Sequence, residues 1–334
     1  MQLIEAAARR FAADLAALWP EAERHGPLGL AVSGGADSLA LLLISHAALP
    51  GRIAVASIDH GLRPEAAAEV ALVERVAAQR GIPFAALGVR LAPGNTQARA
   101  REARYAALAR WARGAGLGAV ATAHHADDQA ETLLMRLARG SGLSGLAGVR
   151  ARGLIPDSEV PLLRPLLGWR RSELAAIVAA AGLVPVDDPS NHDPSFDRAR
   201  MRAALAEVPW LDPLALAASA QHLAEAWAAL EWYAELDWHE MVLREESTEG
   251  APCYAYCANA PRIIGIETIL RILRALGGHA SRAEAARAWD RLWAGQNASL
   301  GGVLAVPSAE KVEKVGAVMR VWRFRPEPPR RAPS

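Results

Sequence analysis

The stretch LGLAVSGGADSLALLLI, residues 28–44, places two glycines and an aspartate between two apolar runs. The first run predicts a buried strand and the second a helix. Gly34 and Gly35 permit a tight turn and let the backbone approach an anion closely. The N-terminus of the helix that follows presents free amides and the positive end of its dipole. The stretch therefore predicts a phosphate site, although no lysine stands where a Walker A loop carries one.

The first half of the chain alternates strand patterns with helix patterns. This alternation predicts an α/β fold with a doubly wound parallel sheet covered by helices on both faces. Buried strands are expected at 28–33, 53–58, 82–89 and 117–123, and helices at 37–48, 64–80, 96–115 and 126–139.

Polar clusters follow three of the four predicted strands. They are SGGADS after the first, DHGLR (59–63) after the second and HHADDQ (124–129) after the fourth. Ligands of open α/β sheets bind beyond the carboxyl ends of the strands. We therefore expect the three clusters to meet at one edge of the sheet and to form the functional site.

Asp37 is unusual in a phosphate loop because a carboxylate repels phosphate. A divalent cation between the two removes the repulsion, so the loop suggests Mg²⁺. Ser33 and Ser38 add hydroxyl groups. The plainer interpretation is a helix N-cap, for which Ser and Asp after glycines are common.

The segment HHADDQAETLLMRLARGSG, residues 124–142, carries the second chemical cluster. On a helix that begins near Ala126, Asp128 and Glu131 lie three residues apart and share a face. His124 is expected at the strand end near that face, with Asp127 beside it. Such a cluster can hold a metal, act in acid–base chemistry or receive a cationic substrate, and its oxygen-rich character suits Mg²⁺ better than zinc.

The pattern S-G-G-x-D-S after a buried strand resembles the PP-loop ATP pyrophosphatases. Further motifs resemble the tRNA(Ile)-lysidine synthetase family over residues 27–205. These motifs are DHGLR, ARxxRY at Ala100–Tyr105, the 124–142 segment, PLLRPLL at 161–167 and DDPSN at 187–191.

The resemblance implies a two-step reaction. The loop would receive the β- and γ-phosphates of ATP as leaving pyrophosphate while the wobble cytidine of the CAU-anticodon isoleucine tRNA is adenylated at carbon 2. The amine of free L-lysine would then displace AMP and give lysidine. Two alternatives stay open: another PP-loop tRNA-modifying enzyme of the thiolase type, and an inactive module that binds nucleotide and tRNA. The first 250 residues contain no cysteine, which argues against sulfur chemistry.

The resemblance also implies roles for individual residues. Pyrophosphate and Mg²⁺ would be held by Ser33, Gly34, Gly35, Ala36, Asp37 and Ser38, with Asp37 as the metal ligand. The catalytic group would comprise Asp37, Arg104, His124 and Asp128, and the substrate lysine would meet Asp128 and Glu131. Contacts to ATP or tRNA phosphates would come from Arg198, Arg200 and Arg202. Ala199 departs from the family's usual asparagine, and without the resemblance Arg104 is better interpreted as a surface helix arginine.

Composition predicts three parts: a catalytic domain at 1–205, an acidic helical arm at 206–250 and a small C-terminal α+β domain at 251–334. The arm holds ten acidic residues and one basic residue, although the whole chain has a net charge of +1. A basic C-terminus is a candidate tRNA contact or a solubilising tail; its arginines are Arg320, Arg323, Arg325, Arg330 and Arg331. Cys253 and Cys257 are expected to be inert. No signal or membrane-spanning pattern is present, so we expect a cytoplasmic protein, a monomer or a homodimer.

Overall fold

The computed structural model describes residues 2–59, 64–89, 97–186, 193, 195, 197–246, 252–312 and 317–327. The chain forms two compact units, Met1–Ala224 and Glu225–Ser334. The division falls inside a long helix, Pro213–Met241, which contributes to both units. The domain borders expected at 205 and 250 stay predictions.

The first unit alternates helices and strands as the sequence predicts. Its elements in chain order are α1 (Gln2–Leu18), β1 (Leu28–Ala31), α2 (Ala36–Ala48), β2 (Ile53–Asp59), α3 (Pro64–Ala78), β3 (Phe84–Gly88), α4 (Gln97–Gly114), β4 (Ala119–Ala121), α5 (Ala126–Ala138), α6 (Leu143–Leu146), β5 (Arg152–Leu154), β6 (Pro161–Leu163), α7 (Arg171–Ala180), α8 (Asp197–Ala206) and the start of α9 (Pro213–Met241).

The six strands of this unit form one sheet in the order β3-β2-β1-β4-β6-β5. All neighbours are parallel except β5, which pairs antiparallel with β6 at the edge. The predicted α/β class is therefore confirmed. The expectation that 82–89 is a fully buried strand is wrong, because β3 lies at the other edge and is only partly covered.

Helix α2 is held in place on nearly all sides. Every residue from Ser38 to Ser45 is buried, and the helix packs against both α1 and α7. Its uninterrupted apolar run is thus explained by the absence of a solvent-facing side. The burial of α2 also fixes the glycine turn at its N-terminus.

The Gly/Ser-rich composition of RGSGLSGLAG, residues 139–148, predicts a loop too flexible for the core, but the segment is folded and anchored. It contains the one-turn helix α6, and Ala147 is fully buried. The side chain of Gln129 on α5 donates to Val149 O at 2.8 Å and accepts from Val149 N at 2.7 Å. Glycine and serine are therefore used here for close packing rather than for mobility.

The composition of VDDPSNHDPSFDRARMR, residues 186–202, predicts a loop, but the end of this segment is helical. Helix α8 begins at Asp197 and packs against α5. Of the family-like motifs, DDPSN at 187–191 and residues 60–63 of DHGLR lie outside the described residues.

The second unit is α+β, as expected. After the end of α9 it contains β7 (Val242–Glu246), β8 (Pro252–Cys257), α10 (Arg262–Ala275), α11 (Arg282–Trp293), β9 (Ala298–Leu300), β10 (Val303–Val312) and β11 (Ala317–Pro326). The strands form an antiparallel sheet in the order β7-β8-β11-β10-β9. The arm predicted at 206–250 is therefore not helical throughout, because β7 is a sheet strand.

The core of the second unit lies between the sheet and helices α10 and α11. It contains the buried side chains of Tyr256, Trp289, Trp322 and Phe324. The tryptophans of α9 were expected to pack, and Trp227 is buried and Trp238 contacts this core, whereas Trp232 is 60% exposed.

Both cysteines lie on strand β8. Cys253 is buried and Cys257 is partly buried, and burial raises the pKa of both thiols. Among the described helices, none combines the length and the apolar character needed to cross a membrane.

The packing of α10 on α11 gives a test of the second unit. A Cβ atom added at Gly265 would overlap the indole ring of Trp289. Ala normally stabilises a helix relative to Gly, but here overpacking should dominate, so Gly265→Ala should lower the free energy of unfolding by about 1–3 kcal/mol. Urea denaturation followed by tryptophan fluorescence measures this change.

Gly114→Ala is the matched control, since Gly114 is also helical and nothing lies within 4 Å of its added Cβ. The control should be neutral or slightly stabilising. Equal stability of the wild type and the Gly265→Ala variant would contradict the packing described for α10 and α11.

Candidate active site

The loop between β1 and α2 has the geometry of an anion site. Gly34 has φ +88°, in the left-handed region that favours glycine. The amide of Leu39 donates to Gly35 O at 3.0 Å, so the amides that precede it at the start of α2 have no partner within the helix. Gly35 offers no side chain to cap them. These amides and the helix dipole favour a phosphate at this position.

The two serines of the loop stabilise its shape. Ser38 Oγ accepts from the Ser33 amide at 3.1 Å and donates to Gly35 O at 2.9 Å. In this conformation the Ser38 proton is used within the loop. Ser33 Oγ lies 3.2 Å from Ser38 Oγ.

Asp37 fits the role of a magnesium ligand. Its Oδ1 atom is buried and has no hydrogen-bond partner among the described residues, so one lone-pair direction is available to a cation. Mg²⁺ is usually bound by one or two carboxylates together with substrate phosphates, and Asp37 lies beside the amides that suit phosphate. Within the described ranges, no group of three or more His, Cys, Asp or Glu side chains could hold a metal by itself.

The centre of the site is His125, which the sequence did not single out. Its buried ring lies between three carboxylates, with Nε2 3.3 Å from Asp37 Oδ2 and 3.6 Å from Asp128 Oδ2, and Nδ1 3.5 Å from Asp127 Oδ2. Burial alone would lower the pKa of His125, but the three carboxylates raise it to about 9. His125 is therefore an imidazolium at neutral pH.

The position of His125 follows from a helix cap. The residue immediately precedes α5, and its amide donates to Asp128 Oδ2 at 3.2 Å, the backbone half of a capping box. A polar residue three positions before an aspartate at a helix start is a recognisable signal. The signal was available in the sequence, but it did not indicate which of the two adjacent histidines faces the carboxylates.

His124, the histidine that the sequence analysis chose, has a different environment. Its Nδ1 lies 2.9 Å from Thr122 Oγ1. Burial lowers its pKa to about 4, helped by the charges of Arg164, Arg198 and Arg101 and opposed by Asp128. His124 is therefore neutral at neutral pH. The expected cluster of one imidazole with carboxylates exists, but His125 rather than His124 is its imidazole.

Asp127 connects this cluster to α7. Its Oδ2 accepts from the Arg171 amide at 2.8 Å. Burial would raise the pKa of Asp127, but His125 and the Arg171 amide together lower it to about 2. Asp127 is thus an ionised structural partner of His125.

Glu131 is buried and already neutralised by cations. Its Oε1 accepts from Arg202 Nε at 2.9 Å and lies 3.7 Å from Arg171 Nη2. Asp128 has the more accessible side chain of the two carboxylates expected to meet lysine. The expected shared face exists, but the two acids have different partners.

The other predicted arginines are distributed unequally. Arg198 and Arg202, four residues apart on α8, both reach α5, where Arg198 Nη2 donates to Thr132 Oγ1 at 3.3 Å. Arg200 is exposed and pairs with Asp197. Arg104 is exposed on α4, and within the described residues no hydrogen bond or ion pair joins it to His125 or to the three aspartates around it. Arg101, one turn earlier, is the α4 arginine whose charge affects His124.

The fold and the site define a PP-loop nucleotide-binding protein, and comparison with known proteins agrees. A family model described as a PP-loop domain matches residues 5–208. The U34-tRNA thiolase NcsA from Methanococcus maripaludis is similar in structure, with a TM-score of 0.55 and 16% identity over 67% of this chain and 79% of that one, which shows the shared fold alone.

Closer relatives identify the family within this class. A tRNA(Ile)-lysidine synthase from Novosphingobium aromaticivorans is 48% identical over 98% of this chain and 96% of its own length. One from Zymomonas mobilis is 39% identical over 92% of this chain and 90% of its own length. The chain belongs to the tRNA(Ile)-lysidine synthase family.

The ion pair between buried Glu131 and partly exposed Arg202 gives a test of this geometry. Arg202→Met removes the closest cation of a buried carboxylate, while Arg171 stays near it, so the free energy of unfolding should fall by about 1–3 kcal/mol. Adding Glu131→Gln to Arg202→Met should recover part of that loss, because it removes the unpaired charge. Urea denaturation of both single variants and of the double variant completes the cycle.

Arg200→Met is the matched control on the same helix, since Arg200 is exposed and its ion pair with Asp197 is at the surface. Its effect should stay within about 0.5 kcal/mol. If Arg202→Met is as mild as this control, Glu131 does not depend on Arg202.

Proposed function

We propose that this chain joins free L-lysine to an isoleucine tRNA in an ATP-dependent reaction. The substrate is the tRNA with a CAU anticodon, the target is carbon 2 of its wobble cytidine, and the products are lysidine, AMP and pyrophosphate. The relatives of the chain are named for this product. One observation within the fold supports the proposal most directly: the PP-loop aspartate and the first turn of α5 meet at one buried histidine.

His125 thus brings together two groups with different proposed tasks: the loop that suits ATP and the α5 carboxylates that suit lysine. The start of α2 suits the phosphates of ATP, and Asp37 suits a magnesium ion bound to them. ATP supplies the adenylyl group that makes the cytidine C2 oxygen a leaving group. The amides at the start of α2 would hold the departing pyrophosphate, with Ser33, Gly34, Gly35 and Ser38 fixing the shape of the loop.

The carboxylates of α5 suit the second step. The ammonium of lysine needs an anionic partner, and it must lose a proton before the amine attacks carbon 2. Asp128 is the better placed of the two expected partners, because Glu131 is already paired with Arg202. In this proposal Asp128 binds the amine, while His125 holds Asp128 next to the loop that binds ATP.

The remaining assignments rest on the family resemblance. Arg104 would act at the reaction centre, where negative charge develops on phosphate. His124, neutral in this structure, would contact substrate as a hydrogen-bonding group rather than as a cation. Arg198, Arg200 and Arg202 would contact phosphates of ATP or tRNA, although Arg200 and Arg202 already have carboxylate partners. We also propose a cytoplasmic location, where tRNA and lysine are available.

The thiolase alternative has little support in this chain. The similarity to a thiolase structure extends to the fold alone. The first unit, which holds the loop and the α5 carboxylates, contains no cysteine in its sequence.

Incorporation of labelled lysine into tRNA tests the proposal. The wild type should label the CAU-anticodon isoleucine tRNA in an ATP-dependent reaction and leave the methionine tRNA, which has the same anticodon triplet, unlabelled. Asp37→Asn and Asp128→Asn should each reduce turnover by at least about a hundredfold while the tRNA dissociation constant stays within about threefold, because they act on ATP and lysine.

Asp290→Asn is the control, since Asp290 is exposed in the second unit and pairs with Arg262. It should retain full turnover. Absence of lysine incorporation by the wild type would reject the proposed reaction. Binding of the tRNA by the wild type without any incorporation would favour a binding module, and unchanged turnover in both site variants would mean that Asp37 and Asp128 do not act in the reaction.

A further inference from the structure

Five arginines of the first unit lie close enough to one another or to His124 for their charges to interact. They come from five different segments of the fold. They are Arg101 on α4, Arg136 on α5, Arg150 after α6, Arg164 at the end of β6 and Arg198 on α8. We call them the arginine cluster.

The contacts of the cluster connect its members through neutral groups. Arg164 Nη1 donates to Arg150 O at 2.6 Å, and Arg150 Nη1 donates to Ala224 O at 3.0 Å. Arg136 donates to Gly145 O and to Gly148 O. Arg198 bonds the Thr132 hydroxyl, and the guanidinium of Arg101 lies 5.0 Å from the centre of the Tyr105 ring.

Within the described residues, no carboxylate forms an ion pair with any member of the cluster. The contrast with other arginines of the same unit is sharp. Arg139 and Arg200 pair with Asp197, Arg202 pairs with Glu131, and Arg170 pairs with Asp212. The cluster departs from these neighbours, because none of its members has a carboxylate partner among the described residues.

Arg164 shows the departure most clearly. Its side chain is buried, with 7% of the residue exposed, and its Nε atom has no hydrogen-bond partner among the described residues. A buried guanidinium without a counter-charge is costly unless an anion completes its environment. Such a residue is therefore a sign of a site whose anion arrives with a ligand.

The members are close enough to act on one another. Burial lowers the pKa of Arg136, and the charges of Arg101, Arg150 and Arg198 lower it further. Burial also lowers the pKa of Arg164, with Arg101 adding to the effect and Tyr105 opposing it. The cluster therefore concentrates positive charge, because an arginine side chain is not deprotonated in proteins.

We propose that the arginine cluster is a binding site for the phosphate backbone of the substrate RNA. The inference rests on the proposed function and adds to it the surface that holds the RNA. Phosphates of ATP present the same chemistry, but the loop before α2 already offers a phosphate site with its own cation ligand. Arg101 and Arg198 are exposed and Arg164 is buried, which suits an extended chain of phosphates that enters from solvent.

The test compares Arg101→Gln and Arg198→Gln with Arg110→Gln. Arg110 is also exposed on α4, and nine residues, or two and a half helical turns, place it on the face opposite to Arg101. All three residues are exposed, so the variants should keep the thermal midpoint of the wild type. Binding of the CAU-anticodon isoleucine tRNA is measured by fluorescence anisotropy at salt concentrations from about 50 to about 200 mM.

Arg101→Gln and Arg198→Gln should each weaken tRNA binding on the order of tenfold at low salt. Each should also reduce the slope of log affinity against log salt by about 0.7–0.9, the value of one lost phosphate contact. Arg110→Gln should change neither quantity. The KM for ATP and the KM for lysine should be the same in Arg101→Gln, in Arg110→Gln and in the wild type.

Three results would overturn the proposal. Unchanged tRNA affinity and salt slope in both cluster variants would mean that RNA does not contact the cluster. An increased KM for ATP with unchanged tRNA binding would assign the arginines to the nucleotide. Equal losses in Arg110→Gln would mean a general charge effect of α4.

Failure of the proposed function would be distinguishable from failure of this inference. If the wild type bound the tRNA through the cluster but incorporated no lysine, the reaction would be wrong and the RNA site would stand. If lysine were incorporated and the cluster variants bound like the wild type, the reverse would hold.

Discussion

Three aspartate side chains surround the buried imidazole of His125 at distances of 3.3 to 3.6 Å. One of them, Asp37, belongs to the glycine loop, and the other two belong to the first turn of α5. The charge of His125 is what allows these carboxylates to lie together, because three aspartates at such distances would otherwise repel one another. The loop that suits phosphate and the helix that carries the proposed lysine ligands are joined by this interaction.

The adjacent residue, His124, has a pKa shifted in the opposite direction from that of His125. Aspartates raise the pKa of His125 to about 9, whereas burial and arginines lower the pKa of His124 to about 4. The surroundings of His125 are therefore acidic, whereas His124 is affected by three arginines of the cluster as well as by Asp128. A divalent cation and a lysine amine suit the acidic surroundings of His125, and a polyanion such as RNA suits the arginine cluster.

Much of this arrangement could be predicted from the sequence, because local signals were strong. Gly34 takes the left-handed conformation that its position requires, and strands β1 to β4 and helices α2 to α5 lie close to where periodicity placed them. Strands β5 and β6 escaped prediction because each has three residues, too few to show a period. Helix α6 was not predicted because its glycines suggested flexibility. The two hydrogen bonds that anchor the segment come from Gln129, which lies on a different helix.

The sequence predicts which acidic residues belong to the site, but not which residues they contact. Asp37, Asp128 and Glu131 are where the motifs placed them, at the start of α2 and along α5. Which histidine faces the aspartates depends on the path of the chain between β4 and α5, and the sequence contains no local signal for that path. The neutralisation of Glu131 by Arg202 likewise depends on how α8 packs on α5, a contact between residues 71 positions apart.

The charge state of His125 is the central physical claim, and NMR can measure it directly. The ring nitrogen and carbon chemical shifts of the two histidines would be followed from about pH 5 to about pH 10, a range that includes the ordinary histidine pKa. His124→Gln and His125→Gln variants would assign the signals, and EDTA would be present. The account predicts that His125 stays protonated at neutral pH and titrates at about 9, while His124 is neutral throughout. A neutral His125 ring at pH 7, or a shared titration of both rings near the ordinary value, would contradict it.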